Sequence, residues 1–370
     1  MKVEQLYKAV AITALLVLIV VVLVYAKTFL VPLTFAALLS MLLLPAMKWL
    51  KSKGLGNVPA TLLSMMLLVA FFALVVFFIS WQVSDLAGNA TKIQDQLSGK
   101  YQQLQEMISQ KMGIPPEKQQ EMIKKQQSSS SGKMTSIVTG FLSGFGSFLT
   151  NTILVLVYIF LFIHFRARLK GFIVRLVSKE EEAKAVKIVD DSSKVAQKYL
   201  TGMFLMIVCL WVMYGIGFSI VGVKNAIFFA ILCGLLEIVP FVGNLFGTLL
   251  TITISLAQGG GGMSIVLGIL ITYAIVQFIQ TYLLEPLVVG AEVSLNPLFT
   301  IVGLIAGETL WGIAGMVLAI PLLGMAKIVC DNIQPLKPYG YLIGQDKKDE
   351  ETGFKKKLEE FGGKIKSWFK

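Results

Sequence analysis

The feature that most constrains this chain is a series of apolar runs, each about as long as a helix that crosses a lipid bilayer. A crossing of about 30 Å of hydrocarbon takes about 20 helical residues. The runs cover residues 9–26, 28–47, 58–81, 141–163, 202–223, 225–257, 263–284 and 298–326. Hydrophobic residues make up 55% of the chain and charged residues 15%, which excludes a soluble fold of ordinary composition. The sequence therefore predicts an all-α integral membrane protein with about eight transmembrane helices.

Lysine and arginine are concentrated in alternate loops between these runs. Residues 1–8, 48–53 and 166–175 hold two, three and four bases, whereas the loops at Lys27 and Lys224 hold one each. Because short cytoplasmic loops carry the excess of bases, both termini are predicted to be cytoplasmic. The bases flank apolar blocks and form no single basic face, so the net charge of +11 indicates orientation in the membrane and no nucleic-acid partner.

The runs divide the chain into membrane and peripheral segments. We predict transmembrane helices 1–3 in residues 1–81, an extracytoplasmic helical segment in 82–140, helix 4 in 141–165, cytoplasmic amphipathic helices in 166–201, helices 5–8 in 202–330, and a charged cytoplasmic tail in 331–370. Apolar residues at helical spacing from Ile93 to Ile108, followed by Pro115, predict an external helical hairpin. Ser178 and Glu181 form a capping-box pattern, which predicts a helix start near residue 179.

Two of the runs, residues 225–257 and 298–326, are longer than one straight crossing needs. Each contains residues that interrupt helices: Pro240, Gly243 and Gly247 in the first, and Gly303, Gly307, Gly312, Gly315 and Pro321 in the second. Each run is therefore predicted to be broken. A kinked crossing and a re-entrant hairpin both fit, and the charge distribution does not separate them, because two hairpins also leave the tail in the cytoplasm.

The last part of the membrane region is acidic and contains no base. From residue 225 to residue 326 there is no lysine, arginine or histidine. The same stretch has four acidic residues: Glu237, Glu285, Glu292 and Glu308. A carboxylate at mid-membrane costs at least about 2.5 kcal/mol, so each must be protonated, paired with a distant base, exposed to water or bound to a cation. Burial without a partner favours the protonated carboxyl group, which can exchange its proton for a bound ion.

Glu237 is the best placed of these acids, because it precedes the break at Pro240. Proline removes a backbone donor, which frees carbonyl groups of the preceding turn for a cation, and the helix that follows begins with exposed N–H groups. Gln277 and Gln280 lie three residues apart on one helix face, and uncharged amides suit a hydroxylated solute or the remaining ligands of an ion. A hydrogen bond between helices is the alternative role for such a pair, and a packing kink is the alternative for the proline.

These considerations define one set of candidate substrate- or ion-binding residues. The set is Glu237, Pro240, Gly243, Asn244, Gln277, Gln280 and Glu308. Glu285 and Glu292 flank Pro286 at the end of a run and are interpreted as solvated loop residues. No nucleotide-binding loop or hydrolase motif occurs, and three cysteines without ligand spacing and one histidine predict no metal site. We therefore expect no enzyme, no catalytic residue and no cofactor.

Four motifs in order resemble the autoinducer-2 exporter family of bacterial membrane permeases. They are Tyr-Leu-Thr-Gly at 199–202, Leu-Glu-Ile-Val-Pro-Phe-Val-Gly at 236–243, Glu-Pro through Leu-Asn-Pro at 285–297, and Leu-Trp-Gly-Ile-Ala-Gly-Met-Val-Leu-Ala-Ile-Pro at 310–321. The resemblance covers residues 5–335. Glu237, Pro240 and Gly243 match the family's acidic-proline-glycine motif, and Pro297, Gly312, Gly315 and Pro321 match its last motif. Asn244 departs from the glycine or proline that the family tends to have there, which leaves the substrate open.

The resemblance implies a multi-pass carrier of the bacterial cytoplasmic (inner) membrane that forms homo-oligomers. Members are linked to quorum sensing through export of a furanone, and others to sodium/proton antiport. We therefore expect a secondary transporter that exports a small polar solute or exchanges Na+ for H+, with Glu237 as the coupling carboxylate. An oligomeric passive channel, or a membrane scaffold that transports nothing, is the alternative. The partners expected in each case are the lipid bilayer and, for a transporter, the solute and Na+ or H+.

Overall fold

The structure, a computed structural model, describes residues 3–88, 152–239, 242–258, 262–289 and 295–345. Regular structure in these ranges is helical, apart from an isolated bridge between Leu295 and Gly344. The α-helices in chain order are α1 Val3–Tyr25, α2 Lys27–Ser52, α3 Asn57–Gly88, α4 Thr152–His164, α5 Arg166–Arg175, α6 Glu182–Val221, α7 Ala226–Leu236, α8 Val242–Ala257, α9 Met263–Ile279, α10 Pro297–Trp311, α11 Ile313–Asn332 and α12 Lys337–Ile343. A π-helix, Gln280–Val289, continues α9, and 3-10 turns cover Lys179–Glu181 and Gln334–Leu336.

Five of the described helices are long and apolar enough to cross a membrane. They lie within Lys27–Ser52, Asn57–Ser84, Lys179–Val221, Met263–Glu285 and Ile313–Asn332. A sixth is added if α4 and α5, which adjoin at Phe165, form one span. The all-α membrane fold is thus confirmed, with five or six long apolar helices in the described ranges where eight spans were predicted. The difference arises partly because the two longest apolar runs are each divided into two helices.

The chain is organised into two compact units, each built from separate stretches of sequence. The first unit comprises residues 1–42, 165–203 and 286–370, and the second comprises residues 43–164 and 204–285. Charge and hydropathy identify where each helix lies along the chain, but the units are defined by which helices pack together.

In the first unit, the run 298–326 forms an antiparallel helical hairpin. Gly307 lies against Gly315, and a Cβ added to Gly307 would be 2.5 Å from the Gly315 carbonyl oxygen. Gly303 lies against Leu323. The turn is at Gly312, which has φ +63°, a conformation that favours glycine. Pro321, predicted to interrupt the helix, lies buried inside α11 instead. Because glycine has no side chain beyond a hydrogen atom, α10 and α11 can approach closely at these positions, which explains why glycine recurs in this run.

Other contacts complete the first unit around this hairpin. The core contains Leu38, Ala196 and Leu318, with Trp311 packed against it. Trp311 Nε1 donates to the Leu23 carbonyl oxygen over 2.9 Å, so that the end of α10 is tied to α1. The chain after α11 folds back to the start of α10, where the backbone N–H of Asn296 donates to the carbonyl of Ile343 over 2.8 Å.

The cytoplasmic segment predicted in this unit is helical, and its second helix begins at Lys179, as predicted, with a 3-10 turn. The chain turns at Lys179–Glu181 as a 3-10 helix, and α6 then runs unbroken for 40 residues from Glu182. The Ser178 side chain makes no cap hydrogen bond, so the capping-box interpretation was wrong in its detail. On α5, apolar side chains that include Phe172 are exposed, which suits a helix lying at a membrane surface.

In the second unit, the run 225–257 also forms an antiparallel helical hairpin. Gly243 lies against the Leu236 carbonyl, and a Cβ at Gly247 would be 2.9 Å from Cys233 Sγ. At the open end, Lys224 Nζ donates to the Gln258 carbonyl oxygen over 3.1 Å. The two ends of the run therefore meet, and the glycines of α8 permit close packing on α7.

Neighbouring helices of the second unit surround the α7–α8 hairpin. Trp211 of α6 donates from Nε1 to the Ile231 carbonyl over 3.1 Å, and its ring fills the space beside Gly234. Asn225, which has φ 60°, donates from its amide to Gln82 of α3 over 2.7 Å. Helix α9 packs along α8. The hairpin thus contacts three helices, and its tip carries the residues that the sequence identified.

Several predicted features lie outside the described residues. These are the external hairpin between residues 89 and 133, the first part of the fourth span up to residue 151, the tail from residue 346, and three site or loop positions: Pro240, Phe241 and Glu292. They remain predictions.

Candidate functional site

Glu237 lies where α7 ends. It is the residue that follows Leu236, with φ −60° and ψ −17°, and its backbone N–H donates to the Cys233 carbonyl over 3.1 Å. The next two residues continue as turns, and α8 then begins at Val242. The side chain is partly buried. The predicted helix break is therefore present directly after the carboxylate, although Pro240 itself is outside the described residues.

Gln280 donates a hydrogen bond to one oxygen of the Glu237 carboxylate. Its Nε2 donates to Glu237 Oε1 over 2.6 Å, and only 1% of the Gln280 residue is exposed. Glu237 Oε2 and Gln280 Oε1 are both buried and have no hydrogen-bond partner among the described residues. Each of these two hydrogen-bonded side chains thus retains one acceptor oxygen without a partner in the part of the chain that the structure describes, and one of the two oxygens belongs to a carboxylate. Unpaired buried acceptors are costly, and a proton, a cation or water would satisfy them.

A second hydrogen-bonded chain lies in the same unit and is centred on Asn244. The Tyr214 hydroxyl donates to Asn244 Oδ1 over 2.5 Å, and Asn244 Nδ2 donates to Gln277 Oε1 over 2.6 Å. Gln277 Nε2 in turn donates to Thr281 Oγ1 over 3.1 Å. Tyr214 is fully buried and Asn244 is 4% exposed. Three helical elements, α6, α8 and α9 with its π-helical continuation, are therefore joined by uncharged polar groups.

The structure brings together four of the predicted site residues, Glu237, Asn244, Gln277 and Gln280, in the second unit. Glu308 lies in the first unit, on α10, where its side chain is exposed. Glu285 is exposed near the end of the second unit. Gly243 has its backbone N–H bonded to the Val239 carbonyl over 3.1 Å and leaves no room for a Cβ. Its observed contribution is close packing at the tip of the hairpin.

Sequence reasoning missed Tyr214 and Thr281. A buried tyrosine hydroxyl needs a polar partner, and that requirement is the signal by which Tyr214 could have been found within its apolar run. Thr281 follows Gln280 directly and lies four residues after Gln277, one helical turn away. Neither carries a charge, so neither stood out in a search for ionisable groups.

The chemistry open to this cluster is recognition by oxygen and amide groups around one carboxylate. No group of three or more His, Cys, Asp or Glu side chains in the described ranges is arranged to hold a metal ion. A cation bound at Glu237 would therefore take its other ligands from amide, hydroxyl or backbone oxygens, the ligands that hard cations prefer. A small hydroxylated solute would find both donors and acceptors in the same groups.

Long apolar helices identify a multi-pass membrane protein, and a partly buried carboxylate at a helix break is an arrangement found in permeases. The family model described as AI-2E family transporter matches residues 12–334. The chain therefore belongs to the AI-2E transporter family, as the sequence motifs indicated.

Relatives of similar length are found in distant bacteria. The chain is 25% identical to YrrI of Bacillus subtilis over 314 residues, which is 82% of this chain and 86% of YrrI. It is 25% identical to MT0215 of Mycobacterium tuberculosis over 321 residues, 85% of this chain and 86% of that protein. It is 23% identical to YhhT of Escherichia coli over 321 residues, 86% of this chain and 89% of YhhT. All three are named "Putative transport protein".

Proposed function

We propose that this permease is a secondary transporter in which Glu237 couples solute movement to Na+ or H+. The observation that carries the proposal is the pairing of a carboxylate with a buried amide, Gln280, at a break between two helices of one hairpin. The permease exports a small polar solute, such as the furanone linked to this family, or exchanges Na+ for H+. Exchange of Na+ for H+ needs a carboxylate that binds either a proton or Na+, and coupled export needs the same site to bind the solute as well.

The surroundings of Glu237 support a coupling role in preference to a fixed ion pair. Its recorded partner is an uncharged amide, and Oε2 has no partner in the described part of the chain. A carboxylate that is not neutralised by a base can gain and lose a cation as conditions change. A permanent salt bridge would instead hold the charge state fixed throughout the transport cycle.

The same proposal includes the arrangement in the membrane. The α7–α8 hairpin re-enters, because its helices have 11 and 16 residues, fewer than the about 20 that a crossing needs, and its ends meet at Lys224 and Gln258. The hairpin of α10 and α11 likewise begins and ends on one side. Both termini then lie in the cytoplasm of a bacterium, as the bases in residues 48–53 and 166–175 favour. Assembly as a homo-oligomer and access to the site from each side in turn complete the proposal.

The test is ion-driven pH change in proteoliposomes containing the purified protein. A Na+ gradient is imposed across the vesicle membrane, and the internal pH is followed by a fluorescent dye. Glu237→Gln is expected to abolish the Na+-dependent pH change, whereas Glu180→Gln, which removes the same charge from an exposed position of the first unit, is expected to retain it. If Glu237→Gln exchanges the ions as well as the parent protein does, the coupling role is wrong.

The alternative functions predict different results in the same vesicles. A passive channel would give solute flux that is insensitive to the ion gradient, in the parent protein and in Glu237→Gln alike. A scaffold would give no flux at all, and its biological effect would be lost on deletion of residues 92–127. Either result would replace the transporter proposal.

A further inference from the structure

Helix α8 carries a stripe of polar side chains that faces the interior of the second unit. The stripe consists of Asn244, Thr248, Thr251 and Ser255, which are between 0% and 4% exposed, followed by the side chain of Gln258. At 100° per residue these five positions fall within a sector of about 80°. They extend over about 21 Å along the helix axis. A buried polar face of this length is unusual in a helix whose remaining residues are mostly apolar.

Three oxygens along this stripe have no hydrogen-bond partner in the described ranges. They are Thr248 Oγ1, Ser255 Oγ and Gln258 Oε1. Serine and threonine in apolar helices ordinarily satisfy their hydroxyl groups by donating to the carbonyl one turn earlier. Several threonines of this chain do so: Thr34, Thr61, Thr251, Thr253, Thr272, Thr300 and Thr309. Thr248 and Ser255 do not make this hydrogen bond, so their hydroxyl groups are available to another ligand.

The two ends of the stripe lie at different places in the unit. Asn244 belongs to the hydrogen-bonded chain with Tyr214 and Gln277, and the preceding Gly243 packs on the backbone of Leu236 and Glu237. At the other end, the Gln258 carbonyl accepts from Lys224, whose side chain is exposed where the hairpin opens. The stripe therefore runs from beside the carboxylate to the exposed end of the hairpin.

We infer that the polar face of α8 lines a hydrated path through which water and a small monovalent cation reach the Glu237 site from the Lys224 end. Buried hydroxyl and amide groups without protein partners are bound by water in most proteins. Beyond the Lys224 ammonium group at its entrance, the path offers oxygen ligands and no fixed charge, which suits a hydrated cation that must move on. This inference rests on the proposed function for its cargo, but its geometry can be tested without transport.

The experiment is cysteine accessibility in intact membranes. The native Cys209, Cys233 and Cys330 are replaced by alanine, and Thr248→Cys, Ser255→Cys and Thr253→Cys are made singly. Thr253 is the matched control, because it has the same residue type as Thr248 and lies about 3 Å along the axis from Ser255. Thr253 is exposed, and at about 100° per residue it lies on the side of α8 opposite Asn244. A charged methanethiosulfonate reagent is added to oriented vesicles, because it modifies thiolates, which form only in contact with water.

Thr248→Cys and Ser255→Cys are expected to react at least about tenfold faster than Thr253→Cys, since only the first two contact water. Reagent added on the Lys224 side is expected to modify Ser255→Cys first. Equal rates for all three variants, or reaction only from the opposite side, would overturn the inference. Thermal unfolding of each variant identifies any that fails to fold.

A second pair of variants keeps the test independent of cysteine chemistry. Thr248→Val and Ser255→Ala remove the hydroxyl groups with little change in volume, and they are expected to lower the rate of ion-driven pH change severalfold without lowering the unfolding temperature. Thr253→Val is the control and should retain the parent rate. Unreactive cysteines together with intact ion coupling would contradict the path alone. Reactive cysteines with unchanged exchange in Glu237→Gln would contradict the proposed function alone.

Discussion

The amide nitrogen of Gln280 and the carboxylate oxygen Oε1 of Glu237 are 2.6 Å apart, and each residue lies where a helix changes its form. Glu237 follows the last residue of α7, and Gln280 is the first residue of the π-helix that continues α9. Helix ends expose backbone groups that are otherwise paired, and π-helical segments are frequent at functional sites. The contact therefore joins two irregular points of the second unit.

Loss of the Gln280 donor is expected to weaken cation binding. In Gln280→Met the side chain keeps its length but donates no hydrogen bond, and a bond to a charged group is worth about 1.5–3 kcal/mol. The Na+ concentration that gives half of the maximal pH change should rise by about tenfold or more. Gln334→Met, at an exposed position, is the control. An unchanged half-saturation in Gln280→Met would show that the contact does not orient the carboxylate.

Removal of the Tyr214 hydroxyl is expected to destabilise the second unit. Tyr214→Phe leaves Asn244 Oδ1 buried without the donor that now lies at 2.5 Å, and an unsatisfied buried group costs about 1–3 kcal/mol. Thermal unfolding of the protein in detergent should occur at a lower temperature. Tyr25→Phe, where the ring is 85% exposed, should unfold like the parent, and equal unfolding of both variants would contradict the prediction.

A methyl group at Gly315 is expected to separate α10 from α11. A Cβ there would overlap the Gly307 carbonyl group, and overpacking of this kind costs about 1–3 kcal/mol. Gly315→Ala should therefore lower the unfolding temperature. Gly171→Ala provides the contrast, because nothing lies within 4 Å of its Cβ position in α5 and alanine favours a helix by up to about 1 kcal/mol. The prediction fails if the two variants are equally stable.

The two ends of the α7–α8 hairpin are expected to be close enough for chemical cross-linking. Lys224→Cys and Gln258→Cys, combined in a background without native cysteines, should be joined within one molecule by a short bismaleimide, as the 3.1 Å contact between these residues predicts. Mass spectrometry of the digested protein detects the product. Lys224→Cys with Leu249→Cys, which faces outward, is the control pair. Absence of the first product would contradict the hairpin and favour a single crossing by residues 225–257.

The sequence predicted where the helices lie and that Glu237 lies at a helix break, but it predicted few of the contacts between helices. Uncharged runs identified where helices lie, because a bilayer admits few other structures. Glu237, Gln277, Gln280 and Asn244 stood out because polar groups are costly in such runs. Glu308 stood out for the same reason, but which unit a residue joins depends on packing that charge patterns do not encode.

The positions of the breaks were predicted less well. Proline and glycine were treated as equal interruptions, but Pro321 lies inside α11 and the turn is made at Gly312. A proline can remain in a helix when neighbouring groups satisfy the freed carbonyl, whereas φ +63° at Gly312 ends the helix directly. The difference follows from tertiary packing, as does the meeting of Lys224 with Gln258, so local sequence patterns did not decide between a kinked crossing and a hairpin.

The shortness of α7 and α8 has a consequence for biosynthesis. With 11 and 16 residues, neither helix alone matches the thickness of the hydrocarbon layer, and the buried polar face of α8 is unfavourable in contact with lipid tails. The pair should therefore enter the bilayer as one body, after α3, α6 and α9 have formed a protein-lined space for it. Because Lys224 and Gln258 meet at the two ends of the pair, late insertion of the pair would leave the orientation of the other membrane helices unchanged.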